Sequence, residues 1–290
     1  MPITVNGSTV PRRQLGRELR RLREQEARIA QVDAAAALEC SVTRLWRLER
    51  GELPFRTLDV KAMCELYGAD ERTTAELTAI APHTKAKGWW HDYAEIPPWF
   101  ELFIGLEQAA AELREYHVGL VSGVLQTKEY ATAVFQRSVM RFSPQEVERR
   151  VAVRLNRARL LTRLDPAAPR FEIVLEEAVI RRPVGSPSVM AGQLRRLIGA
   201  SELPNLSIRV IPTSAGIHGG TMIGGFTIMG FAQRWEPTTV YVEGLTGALY
   251  LDKPAESVRY TLAFDDLAAA ALDEAASRDL FSKAAREYEA

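Results

Sequence analysis

Between Ser41 and Arg50 the chain places Leu45 and Leu48 three positions apart and leaves Val42, Thr43, Arg44 and Arg47 on the opposite side of a helical projection. Those outward residue types are the ones that read base edges. An arginine fork matches the O6 and N7 acceptors of guanine, and threonine or valine methyls pack on the thymine methyl. Arg47, Thr43 and Val42 therefore form a candidate reading face, Arg44 suits either bases or phosphates, and Ser41 stands where an N-cap is expected. Arg13 and Arg56 are further candidate DNA contacts. The same arginines would also suit an ordinary solvated surface, so the elements that present them must decide between the two readings.

Those elements are predicted to be short helices. Pro11 opens a segment in which Leu15, Leu19 and Leu22 recur at i, i+4 and i+7 with arginines on the other faces. Four more helices are predicted at 29–38, 41–50, 58–67 and 70–80, with Gly51 and Gly68 as stops. The expected core of this head, residues 1–82, is Leu15, Leu19, Leu22, Leu45, Leu48, Leu58, Met63 and Leu66. Arg12, Arg13, Arg17, Arg20, Arg21, Arg23 and Arg28 crowd the first helix, some of them placed to pair with Glu18, Glu24 and Glu26. Over all 290 residues 37 basic side chains balance 37 acidic ones, so any affinity for nucleic acid has to come from such a local patch.

The run from Ile29 to Gly51, ending Leu48-Glu49-Arg50-Gly51, resembles the Xre and phage-repressor family of helix-turn-helix proteins. The resemblance implies that Gln31 starts the second helix beside the phosphates or a flanking base, and that Val42, Thr43 and Arg47 reach base edges. It implies also that Ser41 caps the third helix and that Glu49 pairs with an arginine of the first, Arg20 or Arg23. Three positions depart from the pattern. Ala30 replaces a capping hydroxyl, forgoing about 1 kcal/mol. Glu39 replaces a turn glycine and would hold a left-handed backbone at a cost of roughly 1 kcal/mol. Trp46 replaces a small polar residue.

An aromatic connector, 83–100, follows, with Trp89, Trp90, Tyr93, Pro97, Pro98, Trp99 and Phe100. It is read either as a segment packed against one or both domains or as the start of the second core. Beyond it the pattern is mixed: helices at 106–116, 128–140, 144–164, 188–200 and 255–272, and strands at 171–176, 206–211, 225–231 and 239–243. The expected fold is thus multi-domain, an all-α five-helix head followed by a mixed α/β (α+β) domain over 101–290.

That second domain resembles the DUF5753-like domain found behind Xre-type heads in actinobacterial regulators, many of which have a small partner protein encoded alongside. The residues that carry the resemblance are Ile104-Gly-Leu-Glu107, Gly123-Val-Leu-Gln-Thr127 with Tyr130-Ala131, the run from Glu148 to Arg154 with Arg157, Leu175-Glu-Glu-Ala178 and Arg182-Pro-Val-Gly185. Gln193-Leu194, Pro204-Asn205, Val210-Ile-Pro212 with Gly216, Phe226 and Tyr241-Val-Glu243 complete it. Ser122 stands where the pattern has proline.

Glu107, Gln126, Thr127, Arg154, Arg157, Glu177 and Glu243 punctuate apolar segments of this domain. They read either as a partner or effector pocket or as internal salt bridges and caps. The glycine-rich loop 214–220 lacks any phosphate-loop context and reads as a mobile connection. No GxSxG or HExxH occurs, the second domain has no cysteine, and His83, His91, His117 and His218 lack metal-ligand spacing, so neither catalysis, a metal nor a cofactor is expected. Cys40 and Cys64, in an apparently helical stretch outside any CxxC, fit a reducing cytoplasm. The opening residues Met1 to Gly7 do not read as a signal peptide, and no apolar run is long enough for a bilayer.

The sequence thus predicts a cytoplasmic, sequence-specific transcriptional regulator. Its partners would be a double-stranded DNA operator and a second copy of itself, with no membrane contact. The second domain would serve dimerisation, docking of a small partner protein or sensing of a small-molecule effector. The dimer surface is expected on the connector or the 255–272 helix. An antitoxin-like module that binds a small partner protein and regulates its own synthesis is the alternative.

Overall fold

A computed structural model describes residues 7–93, 95–232 and 236–290, so positions 1–6 of the opening segment considered above lie outside the described residues. The chain divides into two compact units, Met1–His91 with Gln233–Glu236, and Asp92–Ala232 with Pro237–Ala290.

The first unit carries five α-helices: α1 Thr9–Arg21, α2 Gln31–Ala37, α3 Val42–Glu49, α4 Thr57–Leu66 and α5 Glu71–Ile80. The leucine period of α1 runs on through a π-helical turn, Leu22–Ala27, which stops where Arg28 takes φ +55°. Leu15, Leu19, Leu22, Leu45, Leu48, Phe55, Val60 and Met63 close the core between the helices. Leu58 does not join it. It is the second residue of α4 and stands out in solvent, while Val60, Met63 and Cys64 take the buried stripe. Cys40 lies in the turn after α2 rather than in a helix.

Two glycines set how closely α1 approaches α3. A Cβ on Gly16 would lie 2.6 Å from the Leu48 carbonyl oxygen, and one on Gly51, at φ +72°, would lie 2.7 Å from the Arg13 backbone. Both are backbone collisions, so only glycine allows this crossing. The connector aromatics divide between the units. Trp90 is buried in the first, with Gly88 making room for its ring, whereas Trp99 and Phe100 belong to the second.

The second unit is built on a six-stranded mixed sheet, β1 Glu112–His117, β2 Arg170–Glu176, β3 Leu206–Ile211, β4 Phe226–Gly230, β5 Thr239–Gly244 and β6 Gly247–Leu251. Its order is β3-β2-β1-β4-β5-β6. β1 runs parallel to β2 (Leu113 opposite Phe171) and β2 to β3, while the β1–β4, β4–β5 and β5–β6 pairs are antiparallel.

Around the sheet lie α6 Pro98–Ala109, α7 Lys128–Gln136, α8 Pro144–Ala158, α9 Glu177–Arg181, α10 Pro187–Ala200, α11 Pro254–Ala270 and α12 Glu274–Glu289. Strand alternation gives the sheet two apolar faces. Tyr116, Val174, Phe226, Ile228 and Val240 meet Phe264 and Leu267 of α11 on one. On the other, Phe103 of α6 sits 4.3 Å from the Tyr241 ring.

Three sequence expectations give way here. Residues 106–116 are not one helix: α6 ends at Ala109 and Glu112–His117 is the central strand β1. Ala, Glu and Leu favour helix locally, but hydrogen bonding to β2 and β4 on both sides overrides that preference. The 144–164 helix ends at Ala158 and tightens into a 3-10 turn at Arg159–Thr162. The 214–220 loop is tied down. It carries two short 3-10 turns, the Gly219 amide donates to Asp266 at 3.1 Å, and Gly220 has no side chain because one would strike Leu267 and Tyr116. Three elements, α9, β6 and α12, have no counterpart in the sequence reading.

Candidate nucleic-acid interface

Within the first unit α2 and α3 are joined by the turn that the sequence marked as costly. Ala30 precedes α2 without any side-chain cap bond, and Glu39 holds φ +50°. Ser41 caps α3, its hydroxyl accepting from the Arg44 amide at 3.1 Å. Leu45 and Leu48 are buried, and Val42, Thr43, Arg44, Trp46 and Arg47 are all exposed. One helix thus offers two arginines, a hydroxyl and two apolar groups to solvent on a continuous face.

That face is held by a buried ion pair. Glu49 closes a two-point fork with Arg23, Nε to Oε1 at 2.6 Å and Nη2 to Oε2 at 2.9 Å. These hydrogen bonds from Arg23 to Glu49 raise the guanidinium pKa above its ordinary value. Arg23, one of the two candidates for this partner, takes the role, and Arg20 pairs with Glu24 instead. Gln31 donates its side-chain amide to Glu49 at 2.8 Å, so it is committed to this same network at the start of α2.

The exposed arginines are each balanced in the unbound protein. Asp59 accepts from both Arg44 and Arg56 at 2.9 Å, bringing these two predicted contacts together. Glu52 lies 3.4 Å from Arg47 and 2.9 Å from Arg50, whose guanidinium stacks over Trp46 at 4.6 Å. Sequence reasoning missed Glu52 and Asp59 as counter-ions, although both sit within fifteen positions of the arginines they balance. Arg13 is placed differently. Its side chain is only 11% exposed and donates to Glu236 at 3.0 Å, an acid that also pairs with Arg17.

In the second unit the candidate pocket residues fall into three roles. Glu107 is fully buried and forks onto Arg157 at 2.9 and 2.6 Å, with Gly123 leaving room for that guanidinium. Thr127 caps α7 by accepting from the Tyr130 amide at 3.2 Å, while Gln193 ties the turn before it to α10. Gln126 accepts from Arg154 at 3.1 Å. Arg154, Arg157 and Glu243 line a cavity of about 400 Å³, whose walls include Trp99, Phe100, Phe135 and Phe142. Burial, with the like charge of Arg157 beside it, pushes the Arg154 pKa down to about 10. Glu177 stands apart, accepting from the Thr213 amide at 2.9 Å and from Arg181. Among the described residues no group of three or more His, Cys, Asp or Glu is placed to hold a metal ion, and no helix is long and apolar enough to cross a membrane.

A short capped helix with its leucines inward and arginines outward, crossed tightly by a basic first helix, defines a helix-turn-helix head of the DNA-binding kind. A family profile described as a helix-turn-helix domain matches residues 14–77. A second, described as a domain of unknown function (DUF5753), matches residues 100–283, more than half of the chain, and the chain belongs to that family. No curated protein and no solved structure matches it.

Proposed function

We propose that the protein is a sequence-specific transcriptional regulator of the Xre kind that acts in the cytoplasm and reads operator DNA with α3. The observation that carries this reading is the outward face of α3, where Val42, Thr43, Arg44 and Arg47 stand exposed while Leu45, Leu48 and Glu49 are buried. In the major groove Arg47 would fork onto a guanine, with Val42 and Thr43 against thymine methyls. Arg44 and Arg56 would exchange Asp59 for phosphate oxygens. Exposed ion pairs of this sort are worth about 0–1 kcal/mol, less than the roughly 1–3 kcal/mol of a bidentate base contact, so releasing them costs little.

A single head reads only a few base pairs, and each mismatch costs about 1–3 kcal/mol, too little to select a few sites in a genome. We therefore assign the working unit as a homodimer on half-sites about one helical turn apart. The second unit is assigned control of the head rather than catalysis.

The test begins with duplexes enriched from a random pool by the full chain, followed by titration of wild type and Arg47→Ala. Arg47→Ala is expected to lose about 1–3 kcal/mol of specific affinity and to keep its salt-dependent binding to competitor DNA. Wild-type affinity of Arg47→Ala for the enriched site would show that α3 is not the reader.

A further inference from the structure

Helix α8 places Arg150, Arg154 and Arg157 one turn apart, on the side that lines the second unit's cavity. Their partners differ. Arg157 is matched by Glu107 behind the wall. Arg150 stacks over Phe142 at 3.9 Å and donates to the Glu95 backbone at 3.4 Å, leaving a buried Nε with no hydrogen-bond partner among the described residues. Arg154 donates to the neutral Gln126, and no carboxylate among the described residues lies within ion-pair distance of it.

The acids that face the cavity do not fill this gap. Glu95 is held by Arg149, and Glu243 is exposed and accepts from the Tyr241 hydroxyl at 3.0 Å. A cation set in an aromatic recess, attracted by Glu243 and Glu107 only from beyond ion-pair distance, is costly unless something brings a closer counter-ion. Apart from Ser138 the remaining walls are apolar, with Phe135 beneath the Arg154 guanidinium at 5.0 Å, and the exposed Met140 and Leu245 mark where the cavity meets solvent. A volume of about 400 Å³ is that of a small-molecule site.

We infer that this cavity binds a small organic anion, its flat apolar body between the aromatic walls and its carboxylate or sulfonate oxygens on the guanidinium of Arg154. The apolar walls supply most of the affinity, and the arginine selects for charge. This site lies wholly within the second unit and does not depend on α3 reading DNA.

The experiment titrates the full chain with two fluorescent probes that share a ring system. One is 8-anilinonaphthalene-1-sulfonate, the other its uncharged counterpart N-phenyl-1-naphthylamine. Wild type is expected to bind both saturably at one site, the sulfonate about tenfold more tightly. Arg154→Met should abolish that preference and leave the neutral probe unchanged. Val134→Trp, which fills the cavity from α7 without touching a charge, should weaken both. Equal affinity of wild type for the two probes would overturn the inference even if Arg154→Met failed to fold. So would an Arg154→Met protein that keeps the preference, or a Val134→Trp protein that binds like wild type.

Discussion

Each unit buries one arginine–glutamate fork, and the two forks end differently. In the head, Arg23 and Glu49 are surrounded by partners: Gln31 shares Glu49 Oε2 with Arg23, and Arg23 donates further to the Ile29 carbonyl at 3.0 Å and to Glu24 at 3.1 Å. In the second unit, Arg157 and Glu107 form the same fork, with the Phe100 and Phe103 rings 5.3 and 5.0 Å from the guanidinium. One turn away on α8, however, Arg154 has no acid of its own, and the space beside it is a cavity. The same chemical unit therefore fixes a helix where its own members are matched by neighbouring donors and acceptors. Where a neighbouring cation is left over, it becomes one wall of a recess.

The strongest way to break this comparison is to open the closed fork. Glu49→Ala breaks the buried fork and leaves Arg23 with only the exposed Glu24, 3.1 Å away, as counter-ion, which should cost the head up to about 3–5 kcal/mol. The loss is measurable as reduced hydrogen-exchange protection of the α1 and α3 amides. Arg23→Met combined with Glu49→Leu should recover most of it, because the charge left stranded by the single change is then removed. A double variant no more stable than Glu49→Ala would mean that the fork is not what holds α3.

Glycines sharpen the contrast on a smaller scale. Gly16→Ala gains about 1 kcal/mol of helix propensity, but its Cβ would sit 2.6 Å from a backbone oxygen that cannot move alone. Overpacking of about 1–3 kcal/mol outweighs the gain, so thermal stability should fall. Gly192, in the middle of α10, has nothing within 4 Å of its Cβ position, and Gly192→Ala should stabilise by about 0.5–1 kcal/mol. Thermal unfolding that moved both variants in the same direction would contradict the close α1–α3 crossing.

How much of this could be read in advance follows from where each signal lives. The α3 face was legible because it sits within ten consecutive residues and rests on local periodicity and one cap. The Arg23–Glu49 pair was legible only through family resemblance, since 26 positions separate its members. β1 was misread because its helix-favouring residues are held extended by partners far along the chain, and β6 was missed because Gly247–Leu251 is short and begins on a glycine. The polar residues of the second domain stand out in the sequence as one set, but one reading had to cover three roles. Cap, internal ion pair and cavity lining look alike until α6, α7, α8 and the β5–β6 turn are brought together.

Arg154→Met carries the smallest expected effect on stability and for that reason discriminates best. If Arg154 were a structural partner like Glu49, replacing it would strand a group and cost several kcal/mol. It has no acid to strand; Gln126 Oε1 loses its donor, but Gln126 keeps its 2.7 Å bond to the Val121 carbonyl when Arg154 is removed. A methionine stem preserves the packing against Phe135, and removing an unmatched cation beside Arg157 relieves both desolvation and like-charge repulsion. The expected change is within about 1 kcal/mol of zero by chemical denaturation of the full chain. A loss on the scale of Glu49→Ala would make Arg154 part of the framework, whereas near-neutral stability together with a lost preference for the sulfonate probe separates a ligand-facing residue from a structural one.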